Sequence, residues 1–455
     1  MRSRMSVLLT RFLSLIVLGL VMSCSGGESG DGNSSGNGAI LDSYGTISTW
    51  SGVPGSGGTS GIQGFNGDGL NRTETWHNLP MEMDVAPDGT IYLIDWNNFR
   101  IRKLMPDETW QTIIGTDTAG DWPCQNPDDP ADCEMPLTGT MTGMELNLNH
   151  WLDLAFRPDS NSFGYSIDFA AWHNHKVTHY DPSMTTDNVT VISGNGKRGF
   201  DIKDDMGNVI TDGDAPQPAQ PALMDFPSSV AVDTDGNLFV AAERSNRVRR
   251  IAPDTDRTVT TVAGSSEPAT TVGYSGDGGP ATQALLGLSA YTEDTGGDNP
   301  EPGGSLVFDT AGNLYIADTY NHCIRKVTPG TDGVIGDDDP LEEIITRFAG
   351  ICGENEHGYV DGPVLDARFY HPRDLDFGPD GRLYVTDTDN SVIRAIDLTT
   401  GTIVTVAGNG SIGFSGDGGP ATEAKLRNPY GSAFDQAGNL YIVDTKNNLI
   451  RIVTP

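Results

Sequence analysis

Positive charge is scarce in this chain. Its 455 residues carry 28 Lys and Arg against 62 Asp and Glu, a formal net charge of −34. A phosphate backbone is bound by the opposite sign, so no nucleic-acid partner is expected, and an anionic membrane surface would repel the domain. Solubility and attraction for divalent cations are the plain consequences of such acidity. Cysteine is sparse as well, at five residues. No cysteine–histidine nucleophile pattern and no nucleotide-cradling loop occurs, which leaves cysteine-nucleophile and nucleotide chemistries without their parts.

What is present begins at the N-terminus. Residues 1–23, MRSRMSVLLTRFLSLIVLGLVMS, set arginines ahead of an apolar run ending in small residues. That is the pattern of a secretory signal, not of a spanning helix in the mature protein. Cys24 completes VMSC, which resembles the bacterial lipobox; an ordinary signal followed by a stray cysteine is the other reading. The resemblance implies a lipidated Cys24 as the only hold on a membrane. Ser25 is not the aspartate that keeps many such lipoproteins at the inner membrane, which implies the outer membrane. Residues 24–44 are then the lipobox cysteine and a Gly/Ser-rich tether, too poor in apolar groups to offset its ordering entropy. The four later cysteines are Cys124, Cys133, Cys323 and Cys352, an even set that predicts two disulfides in an exported chain. Cys124 and Cys133 share one long loop and pair locally. Cys323 and Cys352 would pair across antiparallel neighbours.

The rest of the chain repeats. GNLYIADTYNHCIRKVTP from Gly312, GRLYVTDTDNSVIRAIDL from Gly381, GNLYIVDTKNNLIRIVTP from Gly438 and GTIYLIDWNNFRIRKLMP from Gly89 align without gaps. GNLFVAAERSNRVRRIAP from Gly236 follows them with Ala242 where the others have Asp, and a weaker copy spans 152–180 with Thr178 in place of the IR arginine. Each follows a short apolar strand and a DG or AG turn, a hairpin signal. The unit reads as strand, turn, strand, D-x-x-N turn, strand ending IR, then a fourth strand such as GTIVTVAG. Four antiparallel strands at a regular period make a propeller blade.

These motifs resemble the NHL-repeat family over most of 45–455. The expected fold is all-β, a six-bladed propeller of four-stranded antiparallel blades. The sixth blade ends the chain at IRIVTP and lacks its fourth strand. GTISTWSG, residues 45–52, has the form of that strand at the other end of the chain, so it is expected to complete blade six and remove two open strand edges. A monomer is expected.

Recurring residues point to architecture. Asp95, Asp318, Asp387 and Asp444, with the asparagine three residues on, suit self-capping turns, and each aspartate lies seven residues before an IR arginine with which it can pair. The Gly-rich GYSGDGG-type loops read as packed connectors, since one aspartate per loop is too few for calcium. Asymmetry appears at the channel mouth. One position of the first strands reads Leu79, His150, Phe226, Pro302, His371, Asn428, and three residues on it reads Glu82, Asp153, Ser229, Ser305, Asp374, Gly431. Two opposite blades thus carry H-x-x-D, which suits zinc or another divalent ion, or a polar channel filled with water. Some family relatives are amidating lyases that hold zinc with three channel histidines, a tyrosine and an arginine; here His150 and His371 match, Tyr370 and Arg373 are adjacent, and no third histidine falls on that ring. Lactonase-like propellers place acids and asparagine around calcium, as Glu82, Asp153, Asp374 and Asn428 could. Asp332, Asp337, Asp338 and Asp339 form an acidic insertion, with calcium binding or simple solvation as its two readings. The expected function is a non-catalytic binding propeller in the cell envelope. Its ligand, whether protein, glycan or small molecule, sits on the top face, the one that carries the loops entering the first strands and the turns between strands two and three. The alternative is a metal-dependent enzyme at the mouth, with calcium or zinc as cofactor.

Overall fold

The computed structural model describes residues 45–455 apart from 57–58, 117–138, 195–223, 225, 254–256, 266–272, 290–301 and 337–340. Cys24, Cys124, Cys133, Asp337, Asp338 and Asp339 lie outside the described residues, as do the signal and the tether. Six antiparallel sheets follow one another along the chain, and among the described residues the only helical turns are single 3-10 turns. The fold is a six-bladed β-propeller. Each blade has four main strands, and three blades gain a two-residue fifth strand from the glycine-rich loop before them. No helix among the described residues is long and apolar enough to cross a membrane.

In blade four the strands are Leu306–Phe308, Leu314–Asp318, Cys323–Thr328 and Ile344–Ala349, from channel to rim. The second and third strands are nearly all buried in every blade, because neighbouring blades pack on both their faces. Alternate side chains therefore feed two different interblade cores. Cys323 and Cys352 form a disulfide with Cα atoms 5.1 Å apart. Cys352 lies three residues beyond the fourth strand, past a register shift that offsets Ala349 onto Ile324. In blade six the N-terminal strand Thr46–Ser51 lies antiparallel to the last strand, Leu449–Thr454, with Ile47 opposite Val453.

The D-x-x-N and IR motifs meet in one buried cluster. Asp318 and Arg325 are both fully buried and 3.2 Å apart. Asn321 donates to Asp318 Oδ1 at 2.9 Å, and the Gly287 N–H donates to the same oxygen at 2.6 Å. The aspartate therefore ties its own turn to the loop that enters the blade. That loop returns a second carboxylate: Asp277, from SGDGG, lies 2.8 Å from Arg325, whose guanidinium also lies 4.9 Å from the Tyr274 ring. The arrangement repeats as Asp95–Arg102–Asp68, Asp387–Arg394–Asp361 and Asp444–Arg451–Asp417. The Gly-rich loops are thus connectors whose aspartates are claimed by arginine. In blade two Ala171 stands at the aspartate position and Thr178 at the arginine position, so both charges are missing together.

Removing one partner of a buried pair strands the other charge. Asp444→Ala should therefore cost about 3 kcal/mol, the low end for such a loss because Arg451 keeps Asp417. Asp417→Ala, on a residue whose side chain is 39% exposed, should cost less. Chemical denaturation checks both, and equal losses would show that the buried member does not dominate.

Candidate functional site

The channel is lined by the first strands, and each enters it through an irregular step. Leu79, His150, Phe226, His371 and Asn428 all have positive φ, between 42° and 59°. Left-handed backbone is costly for residues with a Cβ, by about 1–2 kcal/mol, so a tertiary bond must hold it. That bond is an interblade latch. The Leu79 N–H donates to Asn448 Oδ1 at 2.8 Å, that of Phe226 to His175 Nδ1 at 3.3 Å, that of His371 to His322 Nδ1 at 3.3 Å, and that of Asn428 to Ser391 Oγ at 3.2 Å. Each acceptor follows the turn between the second and third strands of the preceding blade. The Asn448–Leu79 bond joins the last blade to the first.

Two residues later the register shifts in four blades, between Pro80 and Glu82, Trp151 and Asp153, Pro227 and Ser229, and Pro372 and Asp374. These are β-bulges, and a bulge re-aims side chains. The extra residues, Met81, Leu152, Ser228 and Arg373, line a cavity at the mouth, together with Pro302, Tyr430 and the carboxylates of Glu82, Asp153 and Asp374. Alternation by two breaks at a bulge, so strand periodicity could not assign Met81, Leu152 and Ser228 to the channel.

The ring of residues after the bulge has an architectural task. Asp153 accepts the Val230 N–H at 2.9 Å, Ser229 the Leu306 N–H at 3.1 Å, Ser305 the Leu375 N–H at 3.1 Å, and Asp374 the Ser432 N–H at 2.9 Å. Serine and aspartate do the same job, each holding the next blade's first strand. Glu82 differs. Its Oε1 accepts only its own neighbour's N–H, from Met83 at 3.0 Å. Its head lies over Gly431, where a Cβ would come within 2.5 Å of Oε2.

Below the ring the channel also carries Asp84 and Asp376. Burial pushes Asp84 and Asp374 up to about 7 and Asp153 to about 6, and it raises Glu82 and Asp376 well above the carboxylate range; mutual repulsion adds to the rise in Glu82, Asp84, Asp374 and Asp376.

His150 and His371 go to different neighbours. His150 Nδ1 lies 2.9 Å from His173 Nδ1, and its ring packs 4.1 Å from Trp96. Burial lowers its pKa to about 4. His173 in turn stacks on Trp172 at 4.0 Å. His371 Nδ1 donates to Asp389 at 2.6 Å, and Asn428 donates to the other Asp389 oxygen at 2.8 Å. Tyr370 stacks on His357 at 4.6 Å, while its N–H donates to Asp387. Arg373 donates to the Pro302 carbonyl and lies 4.9 Å over the Tyr430 ring. Among the described residues no three His, Cys, Asp or Glu side chains are grouped as metal ligands. Asp332 accepts the Val334 N–H within its own turn at 3.0 Å. Asp389, His173 and His322 escaped the sequence reading because they sit at turn positions that vary between blades, and His357 lies in the loop that enters blade five.

A serine–histidine–aspartate run also occurs. Ser51 Oγ is 2.9 Å from His77 Nε2, and His77 Nδ1 is 3.6 Å from Asp95. All three are fully buried and Ser51 also accepts from Trp110 Nε1 at 2.9 Å, so the run fastens the N-terminal strand to blade one.

No family model matches the chain. It is 28% identical to NHL repeat-containing protein 2 of Bos taurus over 182 residues, 39% of this chain and 21% of that protein. It is 24% identical to Teneurin-1 of Mus musculus over 389 residues, 82% of this chain and 12% of that one. The chain thus spans about a fifth or less of these relatives' length. Among solved structures it is similar to an auxiliary nutrient binding protein of Bacteroides thetaiotaomicron, with a TM-score of 0.58, 14% identity, and 90% and 76% of the two chains covered. A second, of Bacteroides ovatus, has a TM-score of 0.56, 13% identity, and 91% and 77% covered. These likenesses show the fold. The chain is a six-bladed β-propeller, and its repeats are similar to those of NHL repeat-containing protein 2.

The channel acids give a pH signature. Their folded pKa values lie above the ordinary value of about 4, so the native state keeps protons that the unfolded chain releases. That contribution is complete below pH ~4 and is lost as pH rises through the folded values. His150 and His322, both lowered to about 4 by burial, oppose it only below their unfolded pKa of about 6.5. The melting temperature should therefore rise as pH falls from 8 to 6.5. Asp376→Asn should raise it at pH 8 and flatten the slope. A melting temperature constant over that window, by calorimetry, would contradict this.

Proposed function

We propose that this chain is a binding propeller that holds a ligand on its top face at the channel mouth and catalyses nothing. The observation that carries the reading is the division of labour in the ring. Asp153 and Asp374, the acids that could act on a substrate, are committed to backbone N–H groups of the next blade. The bulged Met81, Leu152, Ser228 and Arg373 are left to face the mouth. A concave site of apolar walls with a few placed polar groups suits a ligand. Two structures of the same fold are nutrient-binding proteins, which is in keeping with this role. Thermal-shift screening of sugars, peptides, amino acids and organic acids tests it. Ser228→Trp, filling the mouth, should abolish any shift without lowering the melting temperature of the empty protein much, whereas Asp332→Ala, remote from the mouth, should not. A ligand insensitive to Ser228→Trp would place binding elsewhere.

The metal-dependent enzyme is favoured by one observation. Asn428 fixes Asp389, which fixes His371, an arrangement that orders an imidazole for proton transfer or ligation. Stoichiometric zinc or calcium in the purified protein, lost in His371→Ala, would decide for it.

We further infer export and anchoring through Cys24. Cys24→Ser should move the protein from the membrane pellet to the soluble fraction; retention in the pellet would refute the anchor.

A further inference from the structure

We propose that the Cys323–Cys352 disulfide is a redox lock on the seam between blades four and five. Closed, it holds His322 in the tautomer that latches the His371 backbone; open, it releases that latch at the edge of the mouth. The lock stands whatever the mouth binds. It rests on a clasp in which three consecutive residues of a turn each hold one of three consecutive residues of the loop beyond the fourth strand. Cys323 is bonded to Cys352, the Gly353 N–H donates to the Asn321 carbonyl at 2.9 Å, and His322 Nε2 donates to the Glu354 carbonyl at 3.1 Å. The disulfide is the covalent member, and Glu354, two residues on, is exposed. Hydrogen bonds to an exposed loop open readily on their own, since water competes for both partners. At the Cys323 position the other blades have Arg100, Lys176, Arg247, Val392 and Leu449, so a blade forms without cysteine there.

The clasp decides the state of His322. A neutral imidazole has one N–H and one acceptor nitrogen. With the proton on Nε2 given to the Glu354 carbonyl, Nδ1 is left to accept the His371 N–H at 3.3 Å. The other tautomer would set an Nδ1–H against that N–H, donor against donor. The latches at Leu79 and Asn428 use Asn448 Oδ1 and Ser391 Oγ, oxygens that accept without such support. The blade-five latch therefore depends on the loop that Cys352 holds. His371 has a φ of 48°, a left-handed conformation that is costly for a residue with a Cβ. Arg373, which lines the mouth, follows two residues later. The Thr319 hydroxyl still donates to the Pro372 carbonyl at 2.8 Å, so opening the lock loosens the His371 peptide and leaves the blades together.

Closing the lock is a thiol–disulfide exchange with a disulfide oxidant such as oxidised glutathione. One S–S bond forms in the protein and one breaks in the oxidant. The two protons and two electrons lost by the Cys323 and Cys352 thiols leave on two glutathione thiols. Opening is the reverse, with glutathione as the reductant. Cys352 is 8% exposed and Cys323 fully buried, so exchange enters at Cys352.

The test uses the full chain, without ligand, in glutathione buffers of stepped ratio. Peptide mapping reads the disulfide content, and hydrogen exchange is read at single amides. The Cys323–Cys352 pair should pass from oxidised to reduced within the series. As it does, the His371 and Gly353 amides should exchange at least ~10-fold faster, while the Leu79 and Asn428 amides, latched by asparagine and serine, stay within about twofold. Cys323→Ser with Cys352→Ser should reproduce the reduced pattern at every ratio, with an unchanged circular dichroism spectrum. Adding His322→Asn to that pair should restore protection at His371 and not at Gly353, because an amide oxygen accepts without the Glu354 bond. A pair that stays oxidised throughout, a His371 amide unmoved by reduction, or acceleration of all amides together overturns the lock. None of these readouts involves a ligand, so the binding role of the mouth stands or falls separately.

Discussion

A fully buried arginine between two carboxylates organises each regular blade. Arg325, Arg394, Arg451 and Arg102 each reach a buried aspartate in their own sheet and a half-exposed one in the loop that enters the blade. An uncompensated guanidinium in that position would be prohibitively costly, so the loop and the turn have one arrangement in which both can exist. In these four blades that condition places the entering loop. The loop fixes where the first strand begins, the latch that follows holds its left-handed residue, and the bulge after it decides which side chains face the mouth. An aromatic ring covers each guanidinium from outside, from Tyr274 to Phe414. Blade two, with neither charge, relies instead on an aromatic and asparagine cluster around Trp172 and Trp151, where Asn174 accepts from Trp151 Nε1 at 2.8 Å.

The channel acids show how one position serves two ends. Asp153 and Asp374 look like chemistry in the sequence because carboxylate beside histidine is a metal or acid–base signature. In three dimensions they do what Ser229 and Ser305 do in their blades. The difference is electrostatic: acids at this position bring charge into a buried channel, and burial raises the pKa of several of them toward neutrality. Among the described residues of that ring, Glu82 is the acid that does not hold the next blade.

Much of the architecture was legible. The hairpin turns, the D-x-x-N and IR spacing, the pairing of Cys323 with Cys352 and the form of GTISTWSG as a last strand all follow from local chemistry repeated at a regular period. The candidate site was legible only in part. Glu82, Arg373, Asp374 and Asp153 do line the mouth, but His150 and His371 turn to His173 and Asp389, and Met81, Leu152 and Ser228 went unnoticed. A bulge has no composition of its own, and the residues that precede it, Leu79, His150, Phe226 and His371, share a backbone conformation and no side-chain type.

By itself, then, the sequence determined the number of blades, the strands within them and the charge clusters that lock each one, because those depend on residues close together along the chain and repeated in every copy. Which carboxylate is free, which histidine meets which partner and which side chains open onto the mouth were decided by the tertiary structure alone. These depend on the seam between blades, where the partners are far apart in sequence and where a single-residue shift in register changes which face a side chain occupies.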